Sequence, residues 1–274
     1  MLNLPVIDAH HHLGADGTGP EDLRPELEAG RITGTVLSST RPSLAQTREL
    51  LALAAAVPWV SGVVGWVDLT TDDVGARIAA LRSGAGGELL VGLRLAVAEG
   101  ADPAWLGRAD VRRGLAAVAA ADLSVDLGVR TRELPVAAET CRAVPEARFV
   151  LQHLACPPIA SGDLSAWGGA LLELAEQPNV CATLSGFVTE ADPLTWSIDD
   201  LRHPVELAVD AFGPERLMLG SDWPHCLEAG SYSDVMDSVR YLLAELPTHQ
   251  QDEIRGWTAV RVYQLRNMYP PDKG

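Results

Sequence analysis

Two histidines separated by one residue stand near the amino terminus, where they close a short apolar segment. The segment reads Asp8-Ala-His10-His-His12. Side chains alternate between the two faces of an extended strand, so His10 and His12 point to one side and His11 to the other. Two imidazoles at this spacing can share one metal ion or present two donors to one oxyanion. We expect His10 and His12 to form part of a functional site, with His11 in a packing or supporting role.

Two further residues that can do acid–base or metal chemistry end apolar segments later in the chain. His153 follows Phe149-Val-Leu-Gln, and Asp222 follows Leu217-Met-Leu-Gly-Ser. A carboxylate is costly to remove from water unless it is paired or used. Asp222 is therefore expected to accept a proton from water, ligate a metal or cap the next turn, and the expected histidines favour the general-base role. His153 taken alone is also compatible with a core position.

The elements that position these residues follow one repeated pattern. Short apolar, β-branched segments alternate with longer segments of helical period, which is typical of βα units. An open doubly wound sheet normally has a glycine-rich turn after its first strand, and here histidines occupy that place. We predict one α/β domain over residues 1–274, a (β/α)8 barrel with its site at the carboxyl ends of the strands. The predicted strands are 6–10, 35–38, 61–67, 90–95, 124–129, 149–154, 180–185 and 216–222.

Composition excludes several classes of partner. The formal net charge of −16 disfavours nucleic acids and anionic lipid surfaces. No apolar run reaches the roughly 18 residues of a membrane span, and residues 1–5 carry no secretory pattern. The four cysteines form no C-x-x-C pair and are expected to be reduced thiols. We expect a cytoplasmic protein with a small-molecule substrate, and a homo-oligomer stays open.

Several blocks follow one known family in order. They read Ile7-Asp-Ala-His-x-His12, Gly65-Trp-Val-Asp-Leu69, Gly92-Leu-Arg94, Gln152-His-Leu154, Leu184-Ser-Gly-Phe-Val-Thr-Glu-Ala-Asp192 and Phe212-Gly-Pro-Glu-Arg-Leu-Met-Leu-Gly-Ser-Asp-Trp-Pro224. Over residues 5–265 the chain resembles the amidohydrolase superfamily. Within it, the chain is similar to the lactonase branch that includes 2-pyrone-4,6-dicarboxylate lactonase and the L-fuconolactone and L-rhamnonolactone hydrolases. The resemblance implies a distorted amidohydrolase-type barrel, hydrolysis of a cyclic ester, and an active-site set of His10, His12, His153 and Asp222.

The resemblance also bears on the metal content. Binuclear members of the superfamily bridge their two ions with a carbamylated lysine, whereas the only lysine here is Lys273, in the tail. The fifth predicted strand offers no histidine as a further ligand. We therefore expect at most one divalent cation, Zn²⁺ or Mn²⁺, on His10, His12 and Asp222, and His153 stays open as a further ligand. Metal-free activity also stays open, because some lactonases of this branch work without metal.

A lactone hydrolase must activate water and stabilise an oxyanion. We expect Asp222 to take the proton of water, while the three histidines polarise the carbonyl directly or through a cation. The predicted substrate contacts are Arg94, His225, Trp196 and Trp223. Weaker candidates are Arg41, Arg130 and Arg132.

Two positions depart from the family pattern and leave the substrate open. Thr183 stands where relatives often carry lysine, and His225 stands where they often carry valine. Two other functions are also open from the sequence. One is a zinc-dependent decarboxylase of an aromatic or unsaturated acid in the same superfamily, and the other is a non-catalytic barrel that binds a ligand. Lactone opening releases acid without CO2, which separates the three.

Overall fold

The structure, a computed structural model, describes residues 4–14, 17–96 and 102–265. Its eight strands run parallel and neighbour one another in chain order from β1 to β8. The strands are β1 (Ile7–His11), β2 (Gly34–Ser38), β3 (Val60–Gly65), β4 (Leu90–Ala96), β5 (Ser124–Gly128), β6 (Arg148–Leu151), β7 (Val180–Leu184) and β8 (Leu217–Leu219). This order confirms the predicted barrel.

Helices follow the strands around the outside of the sheet. A π-helical turn at Glu253–Trp257 joins the last two of them. The helices are α1 (Pro20–Ala29), α2 (Leu44–Ala56), α3 (Val74–Arg82), α4 (Ala109–Ala120), α5 (Leu134–Ala143), α6 (Ser165–Ala175), α7 (Ile198–Phe212), α8 (Tyr232–Leu242), α9 (Thr248–Asp252) and α10 (Thr258–Val262). None of the helices in the described part of the chain is both long and apolar enough to cross a bilayer.

The barrel closes between the first and the last strand through loop residues rather than through a long ladder. His11 and Trp223 form a parallel bridge. The amide of His12 donates to the carbonyl of Trp223 at 2.7 Å, and the amide of Asp222 donates to the carbonyl of His10 at 2.9 Å. The closure therefore runs through the residues predicted for the site.

Three strands end two or three residues earlier than the sequence pattern predicts. β3 ends at Gly65, β6 at Leu151 and β8 at Leu219, whereas the predicted strands extend to residues 67, 154 and 222. After β6, residues 153–156 all have positive φ values, and Asp222 after β8 has φ +58°. A left-handed backbone cannot continue a strand, so His153 and Asp222 lie on the loops just beyond the strand ends.

Two apolar cores lie on either side of the sheet. The larger one packs the strands against the helices, and the smaller one fills the barrel interior. Residues from α10 and the segment after it belong to this inner core, including Val260 and Tyr263. The Tyr263 hydroxyl reaches inside the barrel and donates to Oδ2 of Asp126 on β5 at 2.8 Å. Helix α10 and the segment after it thereby fill the end of the barrel opposite the predicted site.

The four cysteines are unpaired, as predicted. Cys141 and Cys226 are buried, and the other two are partly exposed.

Helix α1 is not apparent from the sequence pattern. It buries only Leu23 and Leu27 and contains Pro25, so it lacks the long apolar stripe that identifies a helix.

Candidate active site

The four side chains predicted for the site converge at the carboxyl ends of β1, β6 and β8. Oδ1 of Asp222 lies 3.7 Å from Nε2 of His10, 3.7 Å from Nε2 of His12 and 3.8 Å from Nε2 of His153. Nε2 of His10 also lies 3.3 Å from Nε2 of His12. We call these four residues the active-site cluster. Asp222 Oδ1 is buried and has no hydrogen-bond partner among the described residues, so it can accept a proton or ligate a cation.

His11 lies on the opposite face of β1, as strand alternation predicts. Its Nε2 is 2.9 Å from Oγ1 of Thr35 on β2. Its ring packs 5.8 Å from the ring of Trp59, measured between centroids. Both contacts are directed away from the active-site cluster, which gives His11 a packing role.

The loops that carry His153 and Asp222 have a strained backbone. Both residues have left-handed φ angles, +53° and +58°, which cost about 1–3 kcal/mol each for residues other than glycine. The chain also approaches His153 closely at Gly186, where φ is +66°. A Cβ atom at Gly186 would lie only 2.7 Å from Nδ1 of His153. Glycine is therefore required there to leave room for the imidazole.

Hydrogen bonds on the far side of the rings fix two of the imidazoles. Nδ1 of His12 lies 2.8 Å from the carbonyl oxygen of Ser38. Nδ1 of His153 lies 2.9 Å from Oγ of Ser185, which donates in turn to Oγ1 of Thr183 at 2.9 Å. Thr183 also accepts from the amide of His153 at 2.9 Å. The threonine that departs from the family pattern is thus part of the support of His153, a role that the sequence analysis did not assign.

Asp8 is a second buried carboxylate beside the cluster, and the sequence analysis gave it no role. It accepts hydrogen bonds from the Ser221 amide at 2.9 Å and the Ser221 hydroxyl at 2.7 Å. The Tyr232 hydroxyl donates to it at 3.2 Å and the His10 amide at 3.3 Å. Asp8 therefore ties β1 to the loop that carries Asp222. Its place in an apolar strand was the available signal, since a buried carboxylate needs partners.

Burial dominates the electrostatics of the cluster. It raises the pKa of Asp222 to about 7, and the positive charge of Arg94 opposes this shift. Burial lowers the pKa of His153 to about 3 and those of His10 and His12 well below the usual value. The three imidazoles are therefore neutral near pH 7. Neutral imidazoles can either ligate a cation or act as hydrogen-bond donors.

The donor set of the cluster fits a divalent cation. His10, His153 and Asp222 each offer one ligand atom, and these atoms lie within 4.8 Å of one another. The predicted ligand His12 lies beside this group, with its Nε2 3.7 Å from Oδ1 of Asp222. Three neutral imidazoles around an unpartnered carboxylate oxygen suit Zn²⁺ or Mn²⁺.

A cavity of about 760 Å³ lies above the cluster. Its wall includes His12, His153 and Asp222, together with the predicted substrate contacts Arg94 and His225. Arg130 and Arg132, named as weaker candidates, also line it. Arg94 is anchored by a hydrogen bond from Nη1 to the carbonyl oxygen of Ser39 at 2.7 Å.

Three of the predicted contacts lie away from the cavity wall within the described residues. Trp223 is 2% exposed and belongs to the core between sheet and helices. Trp196 packs against the same core, and its indole nitrogen donates to the carbonyl of Ala229 at 2.6 Å. Arg41 is exposed and is absent from the wall. The large apolar surface of the two tryptophans is better buried in the core than exposed to a polar cavity.

Carboxylates accompany the cations at the rim of the cavity. Nη1 of Arg130 lies 3.2 Å from Oε1 of Glu190, and Arg132 is hydrogen-bonded to Glu133. The third rim carboxylate, Glu228, lies 3.8 Å from Nδ1 of His225. The rim is therefore of mixed charge rather than a cluster of unopposed cations.

This combination of an eight-stranded parallel barrel with histidines after β1 and β6 and an aspartate after β8 defines an amidohydrolase-type site. The model of the amidohydrolase family matches residues 7–265, so the chain belongs to that family.

Its relatives include two proteins named L-fucono-1,5-lactonase. One, from Burkholderia ambifaria, is 41% identical over 247 residues, which is 83% of each chain. The other, from Burkholderia multivorans, is 37% identical over 260 residues, which is 90% of this chain and 86% of the relative. A crystal structure of an amidohydrolase from Burkholderia multivorans with bound zinc superposes with a TM-score of 0.87. That protein is 34% identical, and the match covers 95% of this chain and 99% of the other.

Proposed function

We propose that this protein hydrolyses a neutral lactone of a sugar acid, with Asp222 as general base. The observation that carries the proposal is the buried Oδ1 of Asp222, which faces three imidazole nitrogens at 3.7–3.8 Å on the floor of an open cavity. A carboxylate whose pKa lies near 7 accepts a proton more readily than an ordinary aspartate. The relatives named L-fucono-1,5-lactonase support the reaction class.

In this mechanism water attacks the carbonyl carbon of the lactone while Asp222 takes one of its protons. A new carbon–oxygen bond forms, and the charge moves to the former carbonyl oxygen. Collapse of this intermediate breaks the bond to the ring oxygen, and Asp222 returns the proton to the leaving alkoxide. The product is an open-chain hydroxy acid, which ionises at neutral pH.

The developing oxyanion is stabilised by a hydrogen-bond donor or a cation that is fixed in the site before the reaction. Nδ1 of His12 and Nδ1 of His153 face the Ser38 carbonyl and the Ser185 hydroxyl, so the Nε2 lone pairs of both rings are preorganised to hold a cation. A Zn²⁺ or Mn²⁺ held by Asp222 and imidazoles of the cluster would supply Lewis-acid polarisation of the carbonyl.

The rim favours a neutral polyhydroxy substrate over a dicarboxylate. Glu133, Glu190 and Glu228 line the cavity, and two of them accept from the rim arginines. A dianionic pyrone would bring two negative charges close to these carboxylates. Sugar hydroxyls, in contrast, can donate hydrogen bonds to carboxylates and accept them from guanidinium groups. The rim thus supports a neutral sugar lactone, and the relatives named L-fucono-1,5-lactonase support one of a 6-deoxyaldonic acid.

A pH-indicator assay with a CO2 trap tests the proposal. The panel contains 1,5- and 1,4-lactones of neutral sugar acids, 2-pyrone-4,6-dicarboxylate and an aromatic carboxylic acid. We expect acid release from a neutral sugar lactone, at least tenfold faster than from the pyrone, with no CO2. Faster turnover of the pyrone would overturn the assigned substrate class. CO2 release, or no turnover of any lactone, would overturn the reaction itself.

The partners, the location and the oligomeric state of the protein are also proposals. We propose a small molecule as the partner and a cytoplasmic location, which four unpaired cysteines support. The net charge of −16 argues against binding to nucleic acid or to anionic membranes. A homo-oligomer stays a prediction, to be measured by light scattering.

A further inference from the structure

Gln152 lies behind the active-site cluster, where it connects His10 to the barrel interior. It directly follows β6 and is fully buried. Its Nε2 lies 3.3 Å from Nδ1 of His10 and 3.3 Å from Oδ2 of Asp126. Gln152 does not line the cavity formed by the described residues. It therefore contacts a cluster residue without facing the substrate.

The hydrogen bonds that Asp126 accepts determine which atom of the Gln152 amide is the donor. The Tyr263 hydroxyl donates to Oδ2 of Asp126 at 2.8 Å, and the Ser124 hydroxyl donates to Oδ1 at 3.2 Å. The carboxylate is thus an acceptor, and the group of Gln152 that faces it must be the amide nitrogen. The nitrogen carries two protons, so the second one is donated to Nδ1 of His10. Gln152 Oε1 is left without a partner among the described residues, which is consistent with this orientation.

The contacts of His12 independently indicate that the proton of His10 is on Nε2. Nδ1 of His12 lies 2.8 Å from the carbonyl oxygen of Ser38, which can only accept, so this nitrogen carries the proton. Nε2 of neutral His12 then has a lone pair. The 3.3 Å contact between Nε2 of His10 and Nε2 of His12 requires one proton, and only His10 can supply it.

We propose that Gln152 is a positioning residue that holds His10 in the tautomer with its proton on Nε2. The N–H of His10 then points toward Nε2 of His12 and Oδ1 of Asp222, while Nε2 of His12 presents a lone pair. This inference rests on the proposed function in one respect: an N–H beside Oδ1 of Asp222 favours the ionised carboxylate that acts as the base. Ligation of a cation by His10 Nε2 would require the opposite tautomer and a reoriented Gln152. Gln152 thus disfavours His10 as a ligand relative to His12 and His153.

Nitrogen-15 NMR of histidine-labelled, chelator-treated protein tests the tautomers directly. Long-range proton–nitrogen spectra distinguish a protonated ring nitrogen from an unprotonated one, and a His10→Gln variant assigns the His10 signals. In the wild type we expect His10 to be protonated at Nε2 and His12 at Nδ1. A His10 ring protonated at Nδ1 would overturn the proposal, whether or not the protein hydrolyses lactones.

Two variants test whether Gln152 is the cause. Gln152→Met removes both donors, and the His10 signals should shift toward a mixture of tautomers. Gln152→Glu is isosteric and places an acceptor instead of a donor beside Nδ1 of His10, so His10 should become protonated at Nδ1. Unchanged His10 tautomers in the folded variants would refute the role of Gln152, and Gln152→Glu decides it if Gln152→Met does not fold. The matched control is Gln264→Met, because Gln264 also donates to a carboxylate, Asp122, but far from the site.

Kinetics on the best lactone of the panel give the second readout. Loss of a residue that orients a site imidazole typically lowers activity 10- to 100-fold. We expect Gln152→Met to lower kcat by about this factor with KM changed less than about twofold, because Gln152 does not touch the cavity. A change in KM alone would contradict the positioning role. If no lactone is turned over, the proposed function fails, while the NMR result still decides the tautomer.

Discussion

The backbone amide of Asp222 donates to the carbonyl oxygen of His10 at 2.9 Å, while Oδ1 of the same aspartate lies 3.7 Å from Nε2 of the same histidine. One pair of residues thus closes the barrel between β8 and β1 and also places the proposed base against an imidazole. The closure uses the backbone of Asp222, whereas the proposed site uses its side chain. Substitutions at Asp222 should therefore keep the backbone contact and change only the side chain.

Asp222→Asn should reduce kcat at least about 100-fold and leave the fold intact. General-base catalysis contributes 10²–10⁴-fold, and the amide has nearly the same volume without the basic oxygen. Turnover and circular dichroism of the purified variant check this. Retention of more than about a tenth of the wild-type rate would exclude Asp222 as the base.

His153→Ala should lower mainly the turnover, whereas His11→Ala should lower mainly the stability of the fold. His153 lies in the cavity wall, so its loss should lower turnover with little change in melting temperature. His11 bonds to Thr35 and packs on Trp59, so its loss should cost about 1–3 kcal/mol of unfolding free energy. Turnover and denaturant unfolding of both variants check this. Equal losses of turnover in two folded variants would refute the opposite facing of His11.

The pH dependence of kcat/KM should reflect the unusual pKa of Asp222. Burial raises this pKa to about 7, so the basic form is lost as pH falls below 7. In protein shown to be cation-free, kcat/KM should rise with pH through about 7 and level off above it. An acid limb near the ordinary aspartate value of about 4 would contradict the burial effect.

Arg94→Met should shift that limb to higher pH. The positive charge of Arg94 lowers the Asp222 pKa, so its removal leaves the burial effect unopposed. The measured quantity is the pH at the midpoint of the acid limb of the kcat/KM profile, not the maximum value of kcat/KM. Arg202→Met on the exposed face of α7 is the control, because Arg202 pairs with Asp199 outside the site. An unmoved limb in Arg94→Met would show that this charge does not act on the base.

The metal content should not exceed one tightly bound divalent cation per chain. The cluster offers one carboxylate and three imidazoles, and the only lysine, Lys273, falls outside the described residues. Elemental analysis after dialysis against excess Zn²⁺ or Mn²⁺ measures the ratio. Two equivalents, with activity following the second, would require ligands beyond the cluster. The pairing of His10 with Gln152 predicts that His12→Ala weakens cation binding more than His10→Ala.

Local patterns in the sequence predict the barrel and the residue types at its rim. Eight apolar segments alternating with helical ones follow from local periodicity, and the rule that barrel sites lie at strand ends brought His10, His12, His153 and Asp222 to one edge. The sequence did not show that β6 and β8 end early, because the left-handed backbone at His153 and Asp222 is set by tertiary contacts. Nor did it show α1, whose buried face holds only Leu23 and Leu27.

The side chains that support the cluster, and those that lie away from the cavity, follow from tertiary packing. Gln152 contacts His10 across 142 positions of sequence, and Ser221 contacts Asp8 across 213. Such partners have no local pattern, because a hydrogen bond between distant strands depends on closure of the barrel. The same reason applies to Trp223, which adjoins Asp222 in sequence but turns into the core. Residue type and strand position predict the reacting groups, whereas the direction of each proton and the wall of the cavity depend on packing.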